Sequence, residues 1–210
     1  VRLDERAFDR DGVLERRTRK DALLPQAALL FKPQQQVTVY ASYAKSLAAG
    51  GTAPWFADNA DEILPPTNAY QLETGAKWQL QGVRLGAAVF DIRQAYQFTQ
   101  PQADGGLLYV QQGRLHNRGL ELSADGAVTG QLQLFASVAA IRARAEDTGI
   151  AAYEGHQAIN VPKLRASVQA DYRIPGIDGL ALLAGVQYRC RKVADRLGSA
   201  SVPAYAVANL

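Results

Sequence analysis

The chain has 210 residues, 48% hydrophobic and 20% charged, a balance that excludes a disordered polypeptide. Its 23 basic and 20 acidic residues give a net charge of +3, but they are interspersed, which argues against a nucleic-acid-binding face. Mean hydropathy is −0.16 and no run of about 18 apolar residues occurs, so transmembrane helices are excluded while alternating barrel strands are not.

The sequence has no Met and opens on Val1-Arg2-Leu3-Asp4-Glu5-Arg6 without an apolar leader, so a segment of a longer protein is expected. Residues 1–8 read as the end of a tenth strand, and 10–22 as a long loop. The run Arg16-Arg17-Thr18-Arg19-Lys20 within it reads as solvated. Strands follow at 24–31 and 36–44. In 69–80, Gln71, Glu73, Lys77 and Gln79 oppose Tyr70, Leu72, Trp78 and Leu80. In 83–98 the early part is apolar on both faces, and later Asp91, Arg93 and Gln97 oppose Phe90, Ile92, Tyr96 and Phe98. Segment 118–126 sets Glu121, Ser123 and Asp125 against Leu120, Leu122 and Ala124, and 131–142 aligns Leu132, Leu134, Ala136, Val138 and Ala140. The cleanest alternation is 163–174, with Arg165, Ser167, Gln169 and Asp171 against Leu164, Val168, Ala170 and Tyr172. Segments 180–190 and 202–210 complete about nine strands.

Several of these strands match the length of about 9–11 residues that a membrane barrel needs, longer than the globular average of about 5–6. The connections separate a barrel from a sandwich. Short ones (32–35, 81–82, 128–130, 175–179) alternate with long ones (10–22, 45–68, 99–107, 146–162, 191–201), which predicts short turns on one rim and long loops on the other. Tyr70 and Trp78 share an apolar face eight residues apart, roughly 20 Å of height once strand tilt is included, close to the spacing of aromatic girdles. Tyr40, Tyr43, Tyr96, Tyr172 and Tyr188 also lie toward strand ends. The fold class is therefore all-β, an antiparallel transmembrane β-barrel segment. An open sheet edge in lipid leaves backbone groups unsatisfied, so the strands must close alone or belong to a larger barrel.

Catalysis finds no support. Gly-x-Ser-x-Gly, a phosphate loop and a dinucleotide fingerprint are absent. Cys190 is the only cysteine, and His116 and His156 lack metal-ligand spacing. A bulky ligand is held by aromatic faces and basic groups converging from loops. Trp55 and Phe56 in 45–68, Tyr109 and Arg114 in 99–117, and Tyr153 in 146–162 are the candidates. Each has a plainer reading. Trp55 packs its own loop, Tyr109 belongs to an extended hairpin, and Arg114 and Arg118 pair with lumen carboxylates such as Glu121. Arg189, Arg191 and Lys192 end a strand at the long-loop rim, where a solvated edge is the plain reading and a phosphate contact the alternative.

A family resemblance rests on several runs. They are Pro25-Gln26-Ala27-Ala28-Leu29-Leu30-Phe31-Lys32-Pro33, Val37-Thr38-Val39-Tyr40-Ala41-Ser42-Tyr43-Ala44-Lys45-Ser46-Leu47, and Leu64-Pro65-Pro66 leading into Gln71-Leu72-Glu73-Thr74-Gly75-Ala76-Lys77. Ala88-Val89-Phe90-Asp91-Ile92, Asn117-Arg118-Gly119-Leu120-Glu121, Asn160-Val161-Pro162-Lys163 and Val202-Pro203-Ala204-Tyr205 follow in the same order. From about residue 23 to the end, the chain resembles the barrel of TonB-dependent ferric-siderophore receptors. The resemblance implies that residues 1–210 are a C-terminal-half barrel domain, nine or ten strands of a 22-stranded whole. The signal peptide, TonB box, plug, early strands and final strands fall outside it. It also implies the outer membrane of a Gram-negative bacterium, an iron–siderophore complex as ligand, and no other cofactor. TonB–ExbB–ExbD would act through the missing N-terminal region, and lipid and lipopolysaccharide would surround the barrel. A self-contained small barrel acting as an adhesin or structural protein is the alternative.

Overall fold

The computed structural model describes residues 2–8 and 11–210, with backbone alone for Glu5, Ala7, Glu15 and Arg16. Among them every regular element is a strand: β1 (Arg2–Phe8), β2 (Leu14–Asp21), β3 (Gln26–Gln34), β4 (Val37–Ala48), β5 (Thr67–Leu80), β6 (Val83–Pro101), β7 (Leu107–Ala127), β8 (Leu132–Glu146), β9 (Leu164–Arg173), β10 (Ala181–Arg189), β11 (Lys192–Val193), β12 (Ser201–Val202) and β13 (Tyr205–Asn209). Nine of them form one antiparallel meander in the order β3-β4-β5-β6-β7-β8-β9-β10-β13. The nine strands read from alternation are these nine.

Cross-strand register assigns the faces, because directly opposed residues project to the same side. Leu72 opposes Tyr43, Val89 opposes Thr74 and Leu120, and Val138 opposes Leu122 and Ala166. Val168 opposes Ala136 and Val186. One continuous apolar band thus runs from Leu29 on β3 to Val186 on β10, and its large side chains are exposed. On a water-soluble protein such a band would have to be covered; facing hydrocarbon it needs no cover. Phe31, Trp78 and Tyr172 mark this face toward the short turns, and Tyr43, Tyr70 and Tyr188 toward the long loops.

The other face is polar and concave. A cavity of about 470 Å³ on it touches β4 through β10. Tyr40 donates to Glu73 Oε1 at 2.6 Å, Arg165 Nη2 lies 3.1 Å from Glu121 Oε1, and Ser137 and Ser167 Oγ atoms are 2.8 Å apart. These pairings suit a polar wall, since buried polar groups are commonly hydrogen-bonded.

The connections keep their two-rim arrangement, through 81–82, 128–131 and 174–180 on one side and 49–66, 147–163 and 190–204 on the other. Four expectations change. Residues 10–22 are not a loop: Leu14–Asp21 pairs with Arg2–Phe8 in a separate two-stranded sheet, joined by ion pairs such as Arg2–Asp21 at 2.9 Å. The basic run lies on that strand, with Arg17 bound to the Asp4 carboxylate at 2.7 Å. Charges on both strand faces hid the alternation. The tenth strand is β1, outside the main sheet; Val1, Asp9 and Arg10 lie outside the described residues. Residues 99–107 are mostly strand, because β6 and β7 continue as a tall hairpin closed by 102–106. Tyr40 faces the concave wall and Tyr96 stacks on Phe98 at 5.0 Å, so neither belongs to a girdle.

The face of Asp91 is also reversed. Asp91 and Arg93 oppose Leu72 and Tyr70 on the apolar side, while Phe90 and Ile92 point to the concave side with Glu73 and Gln71. Val83, Leu85, Ala87 and Val89 are the lipid-facing set of β6, and Asp91 marks where that band ends.

Candidate functional site at the long-loop rim

The tall β6–β7 hairpin organises this rim. At its base the register slips between Ala95 and Gln97, and Gly113 sits at φ +73. A Cβ there would lie 2.5 Å from Glu146 O and 2.6 Å from Asp147 O, so only glycine lets β7 make this bulge against β8. Beyond the bulge both hairpin faces are covered by loops, which explains why period two fades in the sequence.

Loop 49–66 covers the Gln97–Tyr109 face. Gly51 N–H donates to Gln97 Oε1 at 3.1 Å. The Asn59 side chain acts as a short strand on the free edge of β7: Nδ2 donates to Tyr109 O at 3.0 Å and Oδ1 accepts from Tyr109 N–H at 2.9 Å. Asp58 N–H donates to Leu107 O at 2.7 Å. Within the loop, Thr52 bridges Ile63, and Ala53, Ala57 and Leu64 are buried. Gly50 passes so close to the Leu64 carbonyl that no Cβ fits. A loop held this way presents Trp55, 85% exposed, edge-on to Phe56, 50% exposed, with ring centroids 5.7 Å apart.

Loop 147–163 covers the opposite hairpin face. Tyr153 meets Phe98 edge-on at 5.6 Å, and Phe98 is fully buried. Glu154 anchors the loop by accepting from Asp147 N–H at 2.8 Å, Thr148 N–H at 3.0 Å and Thr148 Oγ1 at 3.1 Å. The backbone donors of Thr148 and Asp147 hold its carboxyl below the usual carboxylate range. Because the folded value is depressed, this anchoring is complete above the ordinary Glu pKa of about 4.3 and fades as pH falls through the folded value. The protection of the Asp147 and Thr148 amides against hydrogen exchange, relative to their intrinsic rates, should therefore fall on acidification. In Glu154→Gln the amides should exchange faster at neutral pH and lose that acid dependence. An unchanged profile in the variant would assign the acid response to another group.

The five sequence candidates do not form one cluster. Trp55 and Phe56 touch each other, and their loop docks on Tyr109. Tyr153 lies across the hairpin against Phe98. Arg114 points to the lipid-side face, with Nε 3.0 Å from Glu146 Oε2 and Nη1 3.2 Å from Asp147 Oδ2. Arg118 pairs with Asp91 at 2.9 Å, not with Glu121, which is taken by Arg165. The sequence reading also missed a buried node. His116, 5% exposed, places Nε2 2.8 Å from Asp91 Oδ2 and Nδ1 3.1 Å from Glu146. The switch from Val89 to Asp91 on one face of β6 was the available signal for it.

The whole chain, residues 1–210, matches the family described as TonB dependent receptor-like, beta-barrel. The probable TonB-dependent siderophore receptor PiuA of Acinetobacter baumannii is 28% identical over 203 residues, covering 88% of this chain and 27% of its own length. The ferrioxamine B receptor of Salmonella typhimurium is 26% identical over 195 residues, covering 91% of this chain and 27% of its own. The crystal structure of BauA, the ferric preacinetobactin receptor of Acinetobacter baumannii, superposes with a TM-score of 0.73 at 27% identity, covering 92% of this chain and 29% of that one. The chain thus spans about a quarter of the length of the curated relatives it matches. An apolar outward band, a concave polar wall, short turns opposite long loops and the match over every residue agree: the chain belongs to the TonB-dependent receptor β-barrel family.

Proposed function

We propose that this segment forms part of a Gram-negative outer-membrane receptor for active uptake of iron–siderophore complexes. The observation that carries the reading is the pinned 49–66 loop, which exposes the Trp55–Phe56 pair at the long-loop rim. A large apolar pair on a preorganised loop is ready to bind, because little side-chain entropy remains to be lost on contact. The names of the relatives, receptors for ferric siderophores, support the ligand class. Trp55 and Phe56 supply apolar and cation-attracting faces to the chelate, Tyr109 and Tyr153 flank the hairpin between the loops, and Arg114 serves the outer wall. The chelate is cargo, and the segment has no cofactor of its own. TonB–ExbB–ExbD supplies energy through the N-terminal region of the intact receptor.

The test is equilibrium binding to the intact receptor, using ferrioxamine B, ferrichrome, a ferric catecholate, haem and cobalamin. One of the ferric chelates should bind, and the double variant Trp55→Ala/Phe56→Ala should weaken it by roughly tenfold or more. Loss of TonB should abolish uptake and leave binding intact. Preference for haem or cobalamin would overturn the ligand class.

A further inference from the structure

Charge is distributed unevenly along the long-loop rim. The whole chain carries +3. Yet loop 49–66 and the hairpin from 96 to 113 hold Asp58, Asp61, Glu62 and Asp104, and no lysine or arginine. Loop 147–163 adds Asp147 and Glu154 against Lys163. The three segments that contain Trp55, Phe56, Tyr109 and Tyr153 thus hold six acidic residues and one lysine.

No cation neutralises the acidic groups around the aromatic pair. Asp58, Asp61, Glu62 and Asp104 are exposed, and none has an ion-pair partner among the described residues. Their hydrogen bonds come from neutral donors. Asn59 Nδ2 donates to Glu62 Oε2 at 2.7 Å, and Gly106 N–H donates to Asp104 Oδ1 at 3.0 Å. A Cβ on Gly106 would touch the Asp58 and Asp104 carboxylates alike, so the two converge where the loop meets the hairpin tip. At the foot of the loop, Lys20 Nζ donates to Pro66 O, while Arg2, Arg6, Arg17 and Arg19 pair with Asp21 or Asp4. The basic loop 190–204 stands five strand spacings from β5 along the sheet, roughly 24 Å. That exceeds the screening length of about 8 Å at physiological salt.

We infer that the Trp55–Phe56 platform selects a ferric chelate whose net charge is positive and is carried on a protonated amine. The inference rests on the uptake reading above and narrows it from ferric chelates as a class to cationic ones. Aromatic faces attract an ammonium through the ring quadrupole within about 6 Å, and tryptophan does so best. Trp55, 85% exposed, is free to offer its face. The carboxylates act at longer range. A rim of one sign raises the local concentration of a cationic ligand and speeds its arrival, and it repels an anionic one. The aromatic pair supplies the contact surface, and the surrounding carboxylates set the sign of what reaches it.

The experiment titrates the intact receptor with three chelates built on one ferric trihydroxamate core. Ferrioxamine B ends in an ammonium, its N-acetyl derivative is uncharged there, and its N-succinyl derivative ends in a carboxylate. Affinity should fall in that order, by roughly tenfold or more from first to last, and the spread should narrow as salt is raised. Asp58→Asn/Asp61→Asn/Asp104→Asn keeps the side-chain shapes and removes the charge, so it should shrink the spread to about threefold or less. Trp55→Ala/Phe56→Ala should weaken all three chelates. The salt series needs no variant and decides the matter if the charge variant does not fold. Equal affinities, a reversed order, a spread indifferent to salt, or a spread that survives the charge variant would each overturn the inference. Preference for uncharged ferrichrome or for an anionic ferric catecholate would overturn it and leave the uptake reading standing. If no ferric chelate binds, both fall.

Discussion

Replacing Val168 by arginine in the intact receptor should lower its stability in lipid vesicles by about 2–4 kcal/mol, whereas Gln169→Arg should change it by less than about 1 kcal/mol. Val168 is 50% exposed in the middle of β9, opposite Ala136 and Val186, so the new guanidinium would face hydrocarbon. Its neighbour Gln169 projects to the concave wall near Asp171, where water and a carboxylate can receive the charge. The two positions share a strand, a depth and a backbone, and differ only in face. Denaturant midpoints of the refolded receptor measure the difference. The reverse order would mean that the face assignment, and with it the lipid-facing band, is inverted.

Phe98→Ala should release the rim without unfolding the barrel. Phe98 is fully buried between Tyr96 and Tyr153, and truncating such a side chain costs about 3–5 kcal/mol where the site cannot collapse. The hairpin stands beyond the lipid-facing band, so the loss should appear as local opening. Protease should cut within 147–163 and 102–106 while the membrane-embedded strands stay protected. If the receptor binds a ferric chelate as proposed, its affinity should scale with the fraction of molecules whose loops remain docked. A drop in global stability with loops still protected would show that Phe98 supports the barrel and not the rim.

How much of this was legible depended on whether one face met a different medium from the other. Segment 163–174 alternates without error because Val168 meets lipid and Ser167 meets water. The hairpin beyond Asp91 lacks that contrast: Phe98 and Thr99, on opposite faces, are both buried. Alternation therefore did not mark its extension as paired strand, and only the reading of Tyr109 as an extended-hairpin residue anticipated it. The same reason hid β2, whose charges stand on both faces. The candidate residues were legible as types, aromatic or basic in long connections. Their grouping was not, because it depends on Asn59 reaching Tyr109 and on Tyr153 reaching Phe98 across 50 and 55 positions of chain.

The antiparallel all-β class, the nine strands of the main sheet and the two unlike rims could be read from the order of residues alone. Alternation and turn length are local properties, and each is written within a dozen residues. The side to which Asp91, Arg93 and Arg118 project, the burial of His116 between two carboxylates, and the clamping of one hairpin by two loops emerge only in the folded chain. Those depend on strand register and on contacts between distant segments. A shift of one residue in register would send every one of these side chains to the opposite face.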